Sequence, residues 1–302
     1  MNPYFKDYGE YISEKFPGTK VQKISVNAGF SCPNRDGTIG RGGCVYCDNS
    51  SFTPRYCFGN DPVKVQLEKG KAFFGRKYKD MKYLAYFQSF SNTFSKSCES
   101  LRNLYEEALS VEDVIGLIVG TRPDCVDEEV IEVLRDLNGL RRVFVELGAE
   151  SSWNSTLDII NRGHTWETTV KAVESLASAD ISVGLHLIEG LPGESEEMML
   201  ETVRRACRLP VESLKFHHLQ IIRGTELEKM FYSRQMDLIR FELEDYIDLC
   251  VKIINLVPEN IAIERFLASS PPEKVISPKW GLKNYQFMNK LLNKLKETKI
   301  KQ

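Results

Sequence analysis

From about residue 21 the chain alternates short β-rich runs with amphipathic segments, and this alternation constrains the fold more than any other feature. The candidate strands cover residues 24–27, 83–88, 115–119, 143–147, 182–187 and 214–219. The candidate helices between them repeat apolar residues every three or four positions, over 63–77, 98–109, 128–137, 165–179 and 196–208. Such strand–helix units predict an α/β fold with a parallel sheet. Six units make a partial barrel or an open doubly wound sheet, and periodicity does not distinguish them.

After the sixth strand the pattern predicts a helix over 241–256, a strand over 261–267 and a terminal helix over 282–301. No low-complexity linker separates these elements from the preceding units. We therefore expect them to pack on the main sheet and not to form a separate body.

Charge and apolar patterning limit the class of protein. The net charge of -2 excludes a chain that is basic throughout, so any site for a polyanion must be a local patch. No apolar run approaches the roughly 18 residues of a membrane span, and the first 16 residues are too charged for a signal peptide. These features predict a cytoplasmic protein with no membrane partner.

Three of the eight cysteines, Cys32, Cys44 and Cys47, stand close together in a polar, glycine-rich segment directly after the first candidate strand. Three thiolates can ligate three irons of a four-iron cluster and leave the fourth iron open for another ligand. A zinc site with Cys57 as fourth ligand is the main alternative, because short C-x-x-C pairs commonly bind zinc. Ordinary buried thiols are a second alternative.

The segment 32–47 resembles the cluster loop of radical S-adenosylmethionine (SAM) enzymes, in the version with a long first spacing and an aromatic residue, here Tyr46, before the last cysteine. Nearly the whole chain resembles the YhcC/YtqA-type radical proteins, relatives of the radical domain of the elongator catalytic subunit. The strings that carry this resemblance are SVNAGFSCPNRDGT, GGCVYC, YFQSFSNTF, GTRPDC, ELGAESS, NRGHT, HLIEGLPGE, KFHHLQIIRGTEL and SPKWG.

The resemblance implies a partial (β/α)6 TIM-like radical SAM barrel with a C-terminal α/β extension. In residue numbers, we expect an N-terminal helical extension over 1–20, the barrel over 21–225 and the C-terminal extension over 226–302. It also implies a [4Fe-4S] cluster on the three cysteines, and SAM as the cofactor cleaved to a 5′-deoxyadenosyl radical. An electron donor such as flavodoxin or ferredoxin is then required.

The same resemblance implies which side chains bind SAM. Relatives use the position after the second strand for the methionine amino group, a residue at the place of Glu150 for the ribose, an arginine for the carboxylate and the fifth strand end for adenine. The residues of this chain at those places, with Tyr46, are Gln88, Ser91, Asn92, Thr93, Glu150, Arg162, Ile188 and Gly190. Turn or N-cap roles are equally open for the residues after the second strand. The alternative for Arg162 is a cation at a surface helix end.

Other residues near the strand ends have both a catalytic and a plain interpretation. Cys125 could donate a hydrogen atom to a substrate radical, or be a simple loop thiol. His217 and His218 are adjacent on the sixth strand, so at most one points into the barrel, and a core role is open for either.

The terminal segment suggests a nucleic-acid partner. Lysines at 283, 290, 294, 296, 299 and 301 face only one acidic residue, Glu297, which suits a phosphate backbone but also a solvated helix end. The family resemblance implies tRNA, with conversion of carboxymethylaminomethyl-uridine toward aminomethyl-uridine at the wobble position. Radical chemistry on a small metabolite or peptide is the alternative among enzymes. A non-catalytic zinc or iron–sulfur module is the alternative outside them.

Overall fold

The structure, a computed structural model, describes residues 2–51, 53–57, 61–75, 80–233, 238 and 240–300. The strands are β1 Lys20–Val26, β2 Met81–Phe87, β3 Val114–Thr121, β4 Arg142–Glu150, β5 Ser182–Glu189, β6 Ser213–His218, β7 Ile221–Ile222, β8 Ala262–Ile263 and β9 Val275–Ser277. The helices are α1 Tyr8–Lys15, α2 Pro33–Asp36, α3 Val63–Phe74, α4 Cys98–Leu109, α5 Glu128–Leu140, α6 Asn154–Ile159, α7 Trp166–Ser178, α8 Glu196–Cys207, α9 Glu226–Ser233, α10 Leu243–Leu256 and α11 Asn284–Ile300.

Seven strands form one parallel sheet in the order β1-β2-β3-β4-β5-β6-β8. This is one strand more than the six predicted units, because the late strand, predicted over 261–267, pairs with β6 through Ala262 and Ile263. The sheet curls until its edges meet: Lys23 Nζ on β1 lies 2.8 Å from a carboxylate oxygen of Glu264, just after β8. The predicted partial barrel is therefore confirmed, and the open sheet is not formed.

The helices begin where the sequence supplies a capping side chain. Ser97, Asp127, Thr165 and Ser195 each accept a hydrogen bond from a backbone amide in the first turn of α4, α5, α7 and α8. These helices turn apolar faces toward the sheet, as the predicted periodicity requires. The predicted end of the first long helix, at residue 77, lies outside the described residues.

The chain termini close the barrel from outside. Phe287 and Leu291 of α11 are fully buried and belong to the same hydrophobic core as the barrel strands. Tyr11 of α1 is buried in a second cluster with Ala262 of β8. Within the described ranges, no helix is long and apolar enough to cross a membrane.

Candidate active site

A cavity of about 260 Å³ lies at the carboxyl ends of the barrel strands. Its walls come from the ends of β3 to β6, from the loops after β1 and β2, and from the segment after β8. In a barrel of this kind the loops that carry chemistry gather at this end. Cys32, Cys44 and Cys47 all line the cavity.

The loop after β1 is shaped by glycines and anchored to the barrel. Cys32 is the N-cap residue of the short helix α2, which ends at Gly37 with a φ of 98°. The two glycines before Cys44 have φ values of 85° and 83°, a region that other residues rarely adopt, and they turn the chain back toward the cavity. The amide of Val45 then donates to the carbonyl of Ile160, at 3.0 Å, which ties the loop to the end of α6.

Cationic and amide donors lie beside the Cys44 sulfur and the backbone of Cys47. Arg162 Nη1 lies 3.5 Å and Asn34 Nδ2 3.7 Å from Cys44 Sγ. Arg35 donates to the carbonyl of Cys47 at 2.8 Å, and its buried Nε has no acceptor among the described residues. Positive charge and N–H donors beside sulfur stabilise thiolates and tune bound iron–sulfur clusters.

The three cysteines offer the donor set of a metal cluster. Cys32, Cys44 and Cys47 line one cavity, and N–H donors lie beside the Cys44 sulfur. Burial raises the pKa of Cys47 to about 12, which opposes release of its proton, and a coordinating metal ion would remove that proton. Three cysteines in one cavity match the donor set that a cluster with one open iron requires.

The zinc alternative lacks geometric support. Cys57, the proposed fourth ligand, is buried, and its thiol donates to the carbonyl of Ser25 at 3.0 Å. Over the described part of the chain, no three His, Cys, Asp or Glu side chains converge as ligands of one metal ion, and this includes Cys32, Cys44 and Cys47, which in a cluster would each ligate a different iron. A zinc ion needs four such ligands at about 2 Å.

Glu150 and Arg162 meet beside the cysteines. Their closest side-chain atoms, Glu150 Oε1 and Arg162 Nη2, are 3.4 Å apart. Glu150 adopts a φ of 67°, at an irregularity in the pairing of β4 with β5, which redirects its side chain. A Cβ atom on Gly148 would lie 2.6 Å from the ends of both side chains, so a larger residue there would displace Glu150 and Arg162 from their present positions. Tyr46 lines the same wall.

The residues after β2 fall into two groups: some line the cavity, and others bond the backbone of neighbouring segments. Gln88 and Ser91 line the cavity. The Asn92 amide instead donates to backbone carbonyls of residues 87 and 120, at 2.9 and 2.7 Å. The Thr93 hydroxyl donates to the carbonyl of Cys125 at 2.6 Å. The described lining of the cavity does not include Asn92, Thr93 or Cys125, so their cofactor and hydrogen-donor roles stay predictions without geometric support.

The end of β5 shows a similar division. Ile188 lines the cavity, as an adenine contact would require. Gly190 has a φ of 89°, and a Cβ atom there would lie 2.8 Å from the ring of Phe241. Its conformation thus shapes the turn after β5, and its predicted role in cofactor binding would be indirect.

The two histidines on β6 differ in their surroundings. The His218 ring stacks on Trp280 with centroids 4.6 Å apart, and its Nδ1 accepts from the amide of Ala268 at 3.3 Å. The His217 ring lies 5.6 Å from that of His186 on β5. Both histidines line the cavity, but only His217 lies beside the floor residue His186, whereas His218 packs on Trp280.

A buried ionic cluster forms the floor of the cavity, and the sequence patterns did not reveal it. Glu146 Oε2 lies 2.7 Å from the Tyr86 hydroxyl, 2.6 Å from His186 Nε2 and 3.0 Å from Lys215 Nζ. Lys23 bonds the other oxygen of Glu146 at 2.9 Å. Burial opposes the charge on Glu146, but Lys215 and Lys23 hold its pKa well below the usual value. The floor is thus a charged, hydrogen-bonded surface.

A sequence signal for this floor exists in hindsight. Lys23, Glu146 and Lys215 each stand in the middle of a barrel strand, directly beside at least one apolar residue. A charged residue inside a buried strand is rare unless it is paired. Three such residues on different strands of one barrel indicate a shared interior cluster.

The family models match most of the chain. Residues 36–206 match the Radical SAM superfamily, and residues 211–297 match the Radical_SAM C-terminal domain. The uncharacterized protein YtqA of Bacillus subtilis is 33% identical over 285 residues, which cover 94% of this chain and 87% of YtqA.

More distant relatives match in part. A tRNA uridine(34) acetyltransferase of Methanocaldococcus infernus is 28% identical over 206 residues, covering 65% of this chain and 37% of that protein. The structure of Elp3 from Methanocaldococcus infernus, with an N-terminal deletion, superposes with a TM-score of 0.68 at 20% identity, over 93% of this chain and 63% of Elp3. At that identity the superposition shows the shared fold.

The comparisons confirm the resemblance inferred from the motifs. The cofactors of the matched superfamily are a [4Fe-4S] cluster and SAM, and the three-cysteine cavity suits them. The chain is an enzyme that belongs to the radical SAM superfamily, in the group that includes YtqA.

Proposed function

We propose that this enzyme modifies the C5 side chain of the wobble uridine of tRNA, converting carboxymethylaminomethyl-uridine to aminomethyl-uridine. The bond between the side-chain nitrogen and the carboxymethyl carbon would break: water would supply the oxygen of the released glyoxylate, SAM would accept the two electrons on becoming methionine and 5′-deoxyadenosine, and the freed amine would take a proton. The observation that carries the proposal is the similarity to YtqA over 94% of the chain, since the resemblance to that group implies this reaction. The partial match to tRNA uridine(34) acetyltransferases adds support, because the name of those proteins describes chemistry at the same nucleotide.

The cofactors occupy the cysteine side of the cavity in this proposal. Cys32, Cys44 and Cys47 hold the cluster, Arg162 pairs with the SAM carboxylate, and Glu150 accepts from the ribose hydroxyls. When bound, the cluster and SAM supply a 5′-deoxyadenosyl radical after transfer of one electron from a donor such as flavodoxin or ferredoxin. The protein orients the reactants, and its closed barrel wall excludes water from them.

The surface that contacts RNA is less distinct than the lysine count suggests. Lys294 Nζ lies 2.6 Å from Asp248, and Lys290 Nζ 3.8 Å from Glu244, both on α10. The side chain of Lys299 and the whole of Lys301 lie outside the described residues. Part of the terminal basic patch is therefore neutralised, and Lys283 and Lys296 are better candidates for phosphate contacts.

Nucleoside analysis tests the proposed substrate. Cells that lack this gene should lose aminomethyl-uridine and nucleosides made from it, and should accumulate carboxymethylaminomethyl-uridine, as measured by mass spectrometry of digested tRNA. A plasmid with the wild-type gene should restore the profile, whereas C44A should not. An unchanged profile in the deletion strain would exclude this substrate and favour a small metabolite or peptide.

A further inference from the structure

Two arginines that line the cavity, Arg35 and Arg265, have no carboxylate within ion-pair distance among the described residues. Arg35 belongs to the cluster loop and donates to the Cys47 carbonyl. Arg265 lies on the wall that follows β8 and interacts through space with Glu264, whose carboxylate contacts Lys23 and Lys215. That wall therefore presents to the cavity a guanidinium without a direct carboxylate partner.

Arg265 is held in place by its backbone and not by a side-chain partner. Its carbonyl accepts from the amide of Phe216 on β6, at 2.9 Å, which secures the segment after β8. Its buried Nε has no acceptor among the described residues. A guanidinium carries five N–H donors, and leaving a buried donor unsatisfied costs about 1–3 kcal/mol. A ligand bound in the cavity could supply an acceptor for these N–H donors of Arg265.

The immediate neighbour of Arg265 is a neutral ring. Arg265 Nη2 lies 3.4 and 3.5 Å from the two ring nitrogens of His217, a contact with the ring and not an ion pair. Burial and the nearby Arg265 lower the pKa of His217 well below its usual value, so the imidazole is neutral at pH 7. The corner thus combines one unpaired cation with a neutral donor–acceptor ring, which suits a carboxylate.

Arg265 and Arg162 line the cavity from different segments of the chain. Arg162 follows α6 and lies 3.5 Å from the Cys44 sulfur. Arg265 follows β8 and contacts His217 on β6. Two separate guanidiniums can therefore receive two different carboxylates, one from the cofactor and one from the substrate.

We infer that Arg265, with His217 beside it, is the subsite for a carboxylate carried by the substrate. The inference rests on the proposed function, because the carboxymethylaminomethyl side chain carries a carboxylate and the aminomethyl product does not. The subsite then binds the substrate more tightly than the product, because the product lacks the carboxylate that Arg265 would contact.

Binding to two matched RNAs tests this inference. Anticodon stem-loops that carry either carboxymethylaminomethyl-uridine or aminomethyl-uridine are titrated against anaerobically reconstituted protein with SAM. The wild type should prefer the carboxylate RNA by about ten-fold, the effect of one charged hydrogen-bonded contact. R265Q should lose the preference and R265K should keep part of it. R102Q, which removes a surface arginine paired with Asp136, should leave it unchanged.

Two further readouts separate this inference from the proposed function. R265Q should retain the SAM affinity of the wild type. If R265Q loses SAM affinity together with the RNA preference, Arg265 binds the cofactor and the inference is overturned. An unchanged RNA preference in R265Q would also overturn it. If neither RNA binds wild-type protein, the tRNA proposal fails by itself. In that case, binding of trifluoroacetate to the wild type and to R265Q is measured by fluorine NMR. Binding to the wild type that is lost in R265Q would support a carboxylate subsite for another substrate. No binding to the wild type, or equal binding to both proteins, would overturn the inference.

Discussion

C32A, C44A and C47A should each abolish the visible iron–sulfur absorption of the reconstituted protein and reduce deoxyadenosine formation to background. The reason is geometric: all three thiols line one cavity, and a cluster with one open iron has no spare protein ligand. Iron and sulfide content, the absorption spectrum and chromatography of the SAM products measure the effect. Wild-type protein should bind about four irons and four sulfides.

C57A is the matched control for these substitutions. Cys57 follows the same loop and is more buried than the cluster cysteines, and its thiol donates to the carbonyl of Ser25. It should keep the cluster and the activity. If C57A loses metal and the wild type binds stoichiometric zinc, the result would instead support the alternative of a zinc site with Cys57 as fourth ligand.

E146Q should lower the free energy of unfolding by about 3 kcal/mol, the cost of removing one partner from a buried ionic cluster. Glu146 is almost inaccessible and bonds Lys23, Lys215, Tyr86 and His186. Because its pKa lies well below the usual value, the full charge is present at pH 7 and is lost in the variant. Urea unfolding at pH 7 measures the difference.

E196Q provides the comparison for that substitution. Glu196 also pairs with a lysine, Lys252, at 2.5 Å, but both side chains are about half exposed. An exposed pair contributes less than about 1 kcal/mol, so E196Q should scarcely change the unfolding midpoint. Equal losses in the two variants would show that the floor cluster does not stabilise the barrel more than a surface pair does.

Local patterns predicted most of the fold because its units are local. Strand–helix alternation located the six main strands and their helices, since each unit has its own period and capping residue. Periodicity could not distinguish a barrel from an open sheet, because curvature depends on contacts between distant edges, such as Lys23 with Glu264. The short β8 strand was expected only as part of an extension, since two residues carry no reliable pattern.

The site was predictable to the extent that its residues are adjacent in sequence. The cysteine loop is a contiguous motif, and the three thiols do line one cavity. The floor cluster and Arg265 escaped notice because they come from separate strands and become neighbours only in the folded barrel. Asn92 and Thr93 differ from the cysteines: their side chains bond backbone carbonyls in this structure, and their roles in cofactor binding stay predictions.

Deoxyadenosine formation tests the central claim most directly. Wild-type protein is reconstituted anaerobically with iron and sulfide, reduced with dithionite, and incubated with SAM. If Cys32, Cys44 and Cys47 leave one iron open to SAM, 5′-deoxyadenosine and methionine appear in equal amounts, and neither forms without reductant. Fully loaded, reduced protein that leaves SAM intact would contradict the assignment of this cavity as a radical SAM site.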